Sequence, residues 1–337
     1  MNAQATDLQI THFGPRLEGP PVVSVLMITY NHEAYIREAI ESVFAQVTTF
    51  PIELVIGEDC STDGTRRVIE HVCVNATIFV KLITSGNNVG MHANLQRCMK
   101  ACVGEFVAML EGDDYWIDAL KLENQTSFLK ENENTTMIFH QAILFYDAEK
   151  LLRTGLTPSG SVVPVGVSEK IVFSDIVEGK FHVPTASTIF RREVIQNIPD
   201  WIAELPFCDI VLLLMAANRG EVHFIEKPMS IYRITNEGAS AKFDYVIEKI
   251  NTIKMLRKFR NFANLENRKM VEIGIYEAFF LCASNLEAAG RYAELENFLK
   301  EQMLHEMFSE KFRITTLKWC VRICFPRTYR VARWLIN

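Results

Sequence analysis

Three apolar stretches in the first third of this chain each run into a cluster of polar residues. The first closes on Thr29-Tyr30-Asn31, the second on Glu58-Asp59-Cys60-Ser61-Thr62-Asp63-Gly64 and the third on Glu111-Gly112-Asp113-Asp114-Tyr115-Trp116. Adjacent carboxylates repel one another unless one takes up a proton or a cation lies between them. Asp113 and Asp114 have no histidine or cysteine beside them, which suits a hard ion such as Mn or Mg. An ion of that kind commonly bridges the oxygens of a bound phosphate. Each cluster also has a plainer use. Asp59 to Asp63 contains the Asp, Ser, Thr and Gly of turns and helix caps, and for Asp63 that structural role is the expected one. Tyr30 either fills the edge of the core or offers its ring face to a flat base.

These residues do chemistry together only if the elements before them line up. Val22 to Thr29 is an apolar run rich in β-branched residues, as in a strand buried on both faces. Helical spacing follows over Glu33–Gln46, with Ile36, Ile40, Val43 and Phe44 on one stripe. Further strands are predicted at Ile52–Ile56, Phe79–Thr84, Glu105–Leu110 and Met137–Tyr146, and helices at Thr65–Val74, Met91–Cys102 and Asp118–Lys130. Strands separated by single helices imply a largely parallel sheet, whose ligands bind beyond the carboxyl ends of the strands. All three polar clusters belong at that edge. Residues 150–170, with Gly155, Pro158, Gly160, Pro164 and Gly166, read as a loop. Mixed structure resumes over 171–235, with a helix at Phe207–Asn218 and strands at Val222–Ile225 and Met229–Tyr232. From Ala241 onward the pattern is helical. The expected organisation is a polar N-terminal arm (1–20), a catalytic domain (21–240, divided near 150) and a helical C-terminal region (241–337).

From Pro21 to about Tyr146 the chain resembles the family 2 glycosyltransferases. The resemblance rests on Val23-Ser24-Val25-Leu26-Met27-Ile28-Thr29-Tyr30-Asn31, on Glu58 through Thr65, on the Asn88-Val89-Gly90 turn before a helix, and on Leu110 through Trp116 followed by Lys121 and Gln125. Four motifs in order form a specific signal, where one alone is weak. The resemblance implies an α/β GT-A fold: a Rossmann-like, mostly parallel sheet flanked by helices, here with a C-terminal helical extension. It implies a nucleotide-sugar donor and a divalent metal, Mn or Mg. Thr29, Tyr30, Asn31, Glu58, Asp59, Asn88, Asp113 and Arg233 would form the donor site, with Asp59 accepting a hydrogen bond from the base. Asp114 would hold the metal, with Asp113 beside it or on the ribose. Where relatives often carry Asp, this chain has Glu111, which keeps the charge on a longer arm.

In the second half, Leu205-Pro206-Phe207-Cys208-Asp209 opens an apolar helix, where the family places its catalytic base. An inverting transfer needs a carboxylate to take the acceptor hydroxyl's proton. A helix N-terminal Asp favoured by the dipole is the alternative for Asp209. Arg233 faces either a diphosphate or a surface carboxylate. Thr235 stands where relatives often carry His, which leaves that metal or diphosphate contact in doubt. His182 reads as structural.

Composition narrows the function classes. The 337 residues exceed the ~250–300 at which one core stops growing. Net charge is −6, with seven basic and no acidic residues from Lys311 onward, so the acidic surplus lies in residues 1–310 and argues against nucleic-acid binding. The eight cysteines form neither a zinc nor a disulfide pattern. No run of about 18 apolar residues is present, and residues 1–20 lack the features of a signal peptide. A cytoplasmic location is therefore expected. Residues 316–337 mix basic residues with Trp319, Phe325, Tyr329 and Trp334, which suits either an anionic membrane surface or a packed amphipathic helix. Sugar transfer to a glycan or lipid-linked acceptor in cell-surface polysaccharide or lipopolysaccharide synthesis is the leading expectation. A catalytically silent nucleotide-sugar-binding scaffold and a nucleotidyltransferase are the alternatives. Against the latter, Thr29-Tyr30-Asn31-His32-Glu33 has no glycine or lysine for a phosphate loop.

Overall fold

The structure is a computed structural model and describes residues 8–146, 160–164, 166–196, 198–234 and 244–305. Thr235, the greater part of the 150–170 loop and the basic segment 316–337 lie outside the described residues. The chain divides into two compact units, Met1–Lys242 and Phe243–Asn337.

The first unit is organised by strand β2 (Val23–Thr29), in which every residue is buried. A strand covered on both faces cannot alternate apolar with polar residues, hence its unbroken apolar run. It pairs in parallel with β3 (Ile52–Glu58) on one side and β5 (Phe106–Glu111) on the other. Beyond β3 lies β4 (Phe79–Thr84), also parallel. The connecting helices α1 (Ile36–Phe44), α2 (Thr65–Cys73) and α3 (Met91–Ala101) bury one stripe each, such as Ile36, Ala39, Ile40 and Val43 of α1.

The sheet then continues through the second half of the unit. Short β6 (Tyr115–Trp116) precedes helix α4 (Lys121–Glu131), long strand β7 (Thr135–Tyr146) and two-residue β8 (Lys170–Ile171). Helix α5 (Phe173–Val177), strand β9 (Ile189–Arg191), helix α6 (Asp209–Ala217) and strand β10 (Glu221–Ile234) complete it. With β1 (Gln9–Phe13), the order is β1-β4-β3-β2-β5-β9-β7-β10-β6, and β8 pairs with β10. Strands β1, β6, β8 and β9 run antiparallel to their neighbours; the rest are parallel.

Several elements differ from expectation. The N-terminal arm contains β1, an edge strand on β4 whose first four residues are exposed. An edge strand with little burial carries no hydrophobic period, so the sequence pattern hides it. Its exit turn needs Gly14 (φ +72°), because a Cβ there would lie 2.1 Å from the Ile78 carbonyl oxygen. The two strands expected at 222–225 and 229–232 form one strand, β10, with a register shift between Ile225 and Ser230. Pro228 sits inside that shift, has no N–H to give a neighbour, and so bulges the strand instead of ending it. Helix α4 begins at Lys121 rather than Asp118, because the Asp118 side chain accepts the Leu120 amide ahead of the first turn.

In the second unit, the described residues form helices α7 (Tyr245–Phe259), α8 (Leu265–Ala288) and α9 (Tyr292–His305). Asp244 caps α7 by accepting the Val246 and Ile247 amides, and Asn264 caps α8 by accepting that of Asn267. Phe279 stacks on Phe298 with ring centroids 5.3 Å apart. No helix among the described residues is long and apolar enough to cross a membrane.

Candidate functional site

Strand register brings the polar clusters together. Thr29 lies opposite Glu58, and Ile28 opposite Glu111. The chain then leaves β2 and β3 through two residues in the left-handed region, Asn31 and Cys60, each at φ +56°. Such turns are costly for non-glycine residues and persist where neighbours over-determine them. Here the neighbours are each other. Asn31 Oδ1 accepts the Thr62 amide at 2.8 Å, the Asn31 amide donates to Ser61 Oγ at 3.0 Å, and Glu58 Oε1 accepts the Ser61 amide at 2.6 Å. Glu58 is therefore buried within its own turn. Asp63 accepts the amide and hydroxyl of Thr65 through one oxygen and the Glu33 amide through the other. Burial pushes its pKa up, but those hydrogen bonds outweigh it and hold the carboxyl below its ordinary value. The structural role expected for Asp63 matches this geometry.

Asp59, 2% exposed, performs a different task. Its two oxygens accept the Val89 and Gly90 amides, each at 2.9 Å, and Arg97 Nη2 lies 3.6 Å from Oδ1. Asn88 Oδ1 also accepts the Gly90 amide, so the 88–90 turn is held from both sides. A carboxylate has about four acceptor positions, so Asp59 retains capacity for another donor. Tyr30, the residue after β2, is 42% exposed.

The end of β5 is unlike the end of β3. Asp114 is 1% exposed; its Oδ1 accepts the Arg233 amide at 2.8 Å, while its Oδ2 is buried with no hydrogen-bond partner among the described residues. Burial, then Asp113, then Glu111 push the Asp114 carboxyl well above its ordinary range, with Arg233 opposing. Glu111 is pushed up to about 8 by burial and by the charges of Asp113 and Asp209. Four carboxylates thus share one neighbourhood. Gly112 lets the backbone pass close to the end of β2, since a Cβ there would lie 2.6 Å from Thr29 Oγ1 and 2.9 Å from His32 Nδ1.

Among the described residues, no three His, Cys, Asp or Glu side chains are arranged to hold a metal ion on their own. Two carboxylates with an unpartnered buried oxygen do fit a cation that takes its other ligands from phosphate and water, as Mg does in many phosphate sites. Asp114 and Asp113 are the residues that would hold it.

Arg233 sits at this edge, but its guanidinium is committed. It lies over the Tyr115 and Tyr35 rings, at 4.5 and 5.1 Å from their centroids. It donates to the Asp113 carbonyl at 2.8 Å and pairs with Glu38. The surface-carboxylate alternative is the one that the geometry displays. Asp209 opens α6, and its Oδ1 accepts the Ile210 amide at 2.8 Å. His182 lies 6.1 Å, ring to ring, from Tyr232. Lys121 and Gln125 are fully buried and bonded to each other, with Lys121 Nζ 4.2 Å from the Trp116 ring centroid.

Several participants carry no motif. His32 Nε2 lies 3.9 Å from Asp113 Oδ2. Arg97 is the cation beside Asp59, and Tyr35 with Glu38 clamps Arg233. The one available signal was Arg97, a charge on the half-buried face of α3 between Asn94 and Cys98.

Comparison with known proteins places the chain in a family. The family described as Glycosyl transferase family 2 matches residues 24–198. An uncharacterised protein of Mycobacterium tuberculosis is 32% identical over 212 residues, which cover 63% of this chain and 58% of that one. The chain therefore spans little more than half the length of that relative. The Escherichia coli protein named UDP-Glc:alpha-D-GlcNAc-diphosphoundecaprenol beta-1,3-glucosyltransferase WfaP is 25% identical, over 70% of this chain and 86% of its own. Among solved structures, the mannosyltransferase PcManGT of Pyrobaculum calidifontis, in complex with GDP-Man and Mn2+, superposes with a TM-score of 0.52. It is 16% identical and covers 96% of this chain and 91% of its own. That likeness shows a GT-A fold.

Proposed function

Because the chain belongs to glycosyl transferase family 2, we propose that it moves a sugar, with inversion, from a UDP-linked donor to a glycan or lipid-linked acceptor. The observation that carries this reading is the buried Asp114 oxygen without a partner, one residue from Asp113 at the carboxyl edge of the sheet. The relative that acts on a diphosphoundecaprenol-linked sugar supports a lipid-linked acceptor.

In this reading Asp59 and the 88–90 turn receive the base, and Tyr30 lies against its face. Asp113 and Asp114 hold a divalent ion, which when bound offsets the charge of the leaving diphosphate. Asp209 accepts the proton of the acceptor hydroxyl as that oxygen bonds to the anomeric carbon and the bond from that carbon to the diphosphate breaks. Arg233 works at one remove, by fixing the loop that carries both metal-binding carboxylates. A cytoplasmic location, with residues 316–337 against the inner membrane face, completes the proposal. Loss of anionic-vesicle flotation on deleting that segment would support the membrane contact.

The primary test is a thermal-shift panel with UDP, GDP, dTDP and CMP, with and without Mn. A ligand that binds only the native state raises its melting temperature. One nucleotide is expected to do so, more strongly with Mn, and the Mn increment should vanish in Asp114→Ala. No response to any nucleotide would sink the proposal.

A further inference from the structure

The geometry points to His92 as a positioning residue that couples the nucleotide-base site to the placement of Asp209. The inference rests on the reading of Asp209 as the base. His92 is the second residue of α3, directly after the turn whose Val89 and Gly90 amides are gripped by Asp59. Its Nε2 lies 2.5 Å from the carbonyl oxygen of Leu205, 113 residues further along the chain. A carbonyl only accepts, so Nε2 carries the proton. The other ring nitrogen, Nδ1, is buried with no hydrogen-bond partner among the described residues. The carbonyl of Leu205 is thus what this imidazole is built to hold.

The tether is short and stiff at its far end. Leu205 is extended (φ −103°, ψ 153°) and buried, and Pro206 after it disfavours the helical alternative. Cys208, buried, then caps α6, and Asp209 is its first residue. A continuous path therefore runs from Asp59 through the 88–90 turn and His92 to Leu205 and Asp209. Without the His92 contact, the described hydrogen bond of the Asp209 side chain is to the adjacent Ile210 amide, which fixes it to its own helix but not to the donor site. When a base fills the Asp59 site and quiets the turn, the same ordering reaches the segment that presents Asp209.

Hydrogen exchange of the full chain with UDP and Mn tests the coupling. In the wild type, UDP should slow exchange about fivefold or more both at residues 88–95 and at 205–212. His92→Phe should keep the first effect and lose the second. His92→Gln, whose amide N–H reaches a similar distance, should restore it; His92→Asn, one bond shorter, should not. If the phenylalanine variant fails to fold, the Gln and Asn pair decides the question. Unchanged exchange at 205–212 in UDP-bound wild type, or coupled slowing in the Asn variant, overturns the inference. Hydrolysis of UDP-glucose separates it from the reading beneath it. Wild-type turnover in Asp209→Asn would remove the base itself, whereas wild-type turnover in His92→Asn with Asp209→Asn inactive would remove His92 alone.

Discussion

The ends of β3 and β5 both place a buried aspartate at the same sheet edge, and the two are held in opposite ways. Asp59 has an amide on each oxygen and a guanidinium 3.6 Å away. Asp114 has one amide, one bare oxygen and two carboxylates, Asp113 and Glu111, for company. A buried charge is tolerated when it is paired and hydrogen-bonded, and is costly otherwise. The first aspartate therefore stabilises the protein as it stands. The second is a cost that a bound cation would offset. In the proposed function, that difference would separate recognition of a neutral base from recognition of an ion.

The acid outside both ends sets the largest expected effect. Asp209→Asn should lower turnover roughly 100-fold or more, the range of general-base contributions, while leaving the nucleotide thermal shift intact; a near-normal rate would take Asp209 out of the mechanism. The comparison itself is sharpened by two isosteric changes of opposite sign. Asp59→Asn offers an amide nitrogen to a backbone N–H, and should destabilise by about 1–3 kcal/mol and weaken nucleotide binding with or without Mn. Asp114→Asn removes an uncompensated buried charge, and should raise the metal-free melting temperature while abolishing the Mn increment. Equal and same-signed shifts in the two variants would break the contrast.

Next in size is the clamp on the β5 loop. Arg233→Met should lower stability and Mn affinity together, whereas Glu38→Gln, which removes a half-exposed partner, should cost under about 1 kcal/mol. The smallest effect concerns pH. Asp63 has its carboxyl held below the ordinary 3.8, so it contributes stability above that value and loses it as pH falls further. Asp63→Asn should flatten the acid limb of a stability–pH curve below about pH 4, and an unchanged limb would mean those hydrogen bonds add nothing.

The contrast between β3 and β5 was only half visible in the sequence. Their apolar runs and polar ends announce a parallel sheet with carboxylates at one edge, because buried strands leave a continuous pattern. Which carboxylate would be satisfied could not be foreseen, since the satisfying groups come from elsewhere: Val89 and Gly90 amides for Asp59, the Arg233 amide for Asp114. Arg233 shows the same limit. The family resemblance suggested a place in the donor site, but its aromatic neighbours Tyr35 and Tyr115 belong to two other elements. Strand β1 escaped notice because exposure on both faces removes the pattern that marks a strand.

The pairing of Tyr115 with Ile231, and of Asp114 with the Arg233 amide 119 residues later, also orders events in time. A ribosome delivers the β2–β5 strands first, and those can pair among themselves. The loop that carries Asp113 and Asp114 must wait for β10, a closure of high sequence separation that is slow to form. A nascent chain arrested between Tyr146 and Glu221 would thus carry the Asp59 turn finished and the Asp114 loop still open.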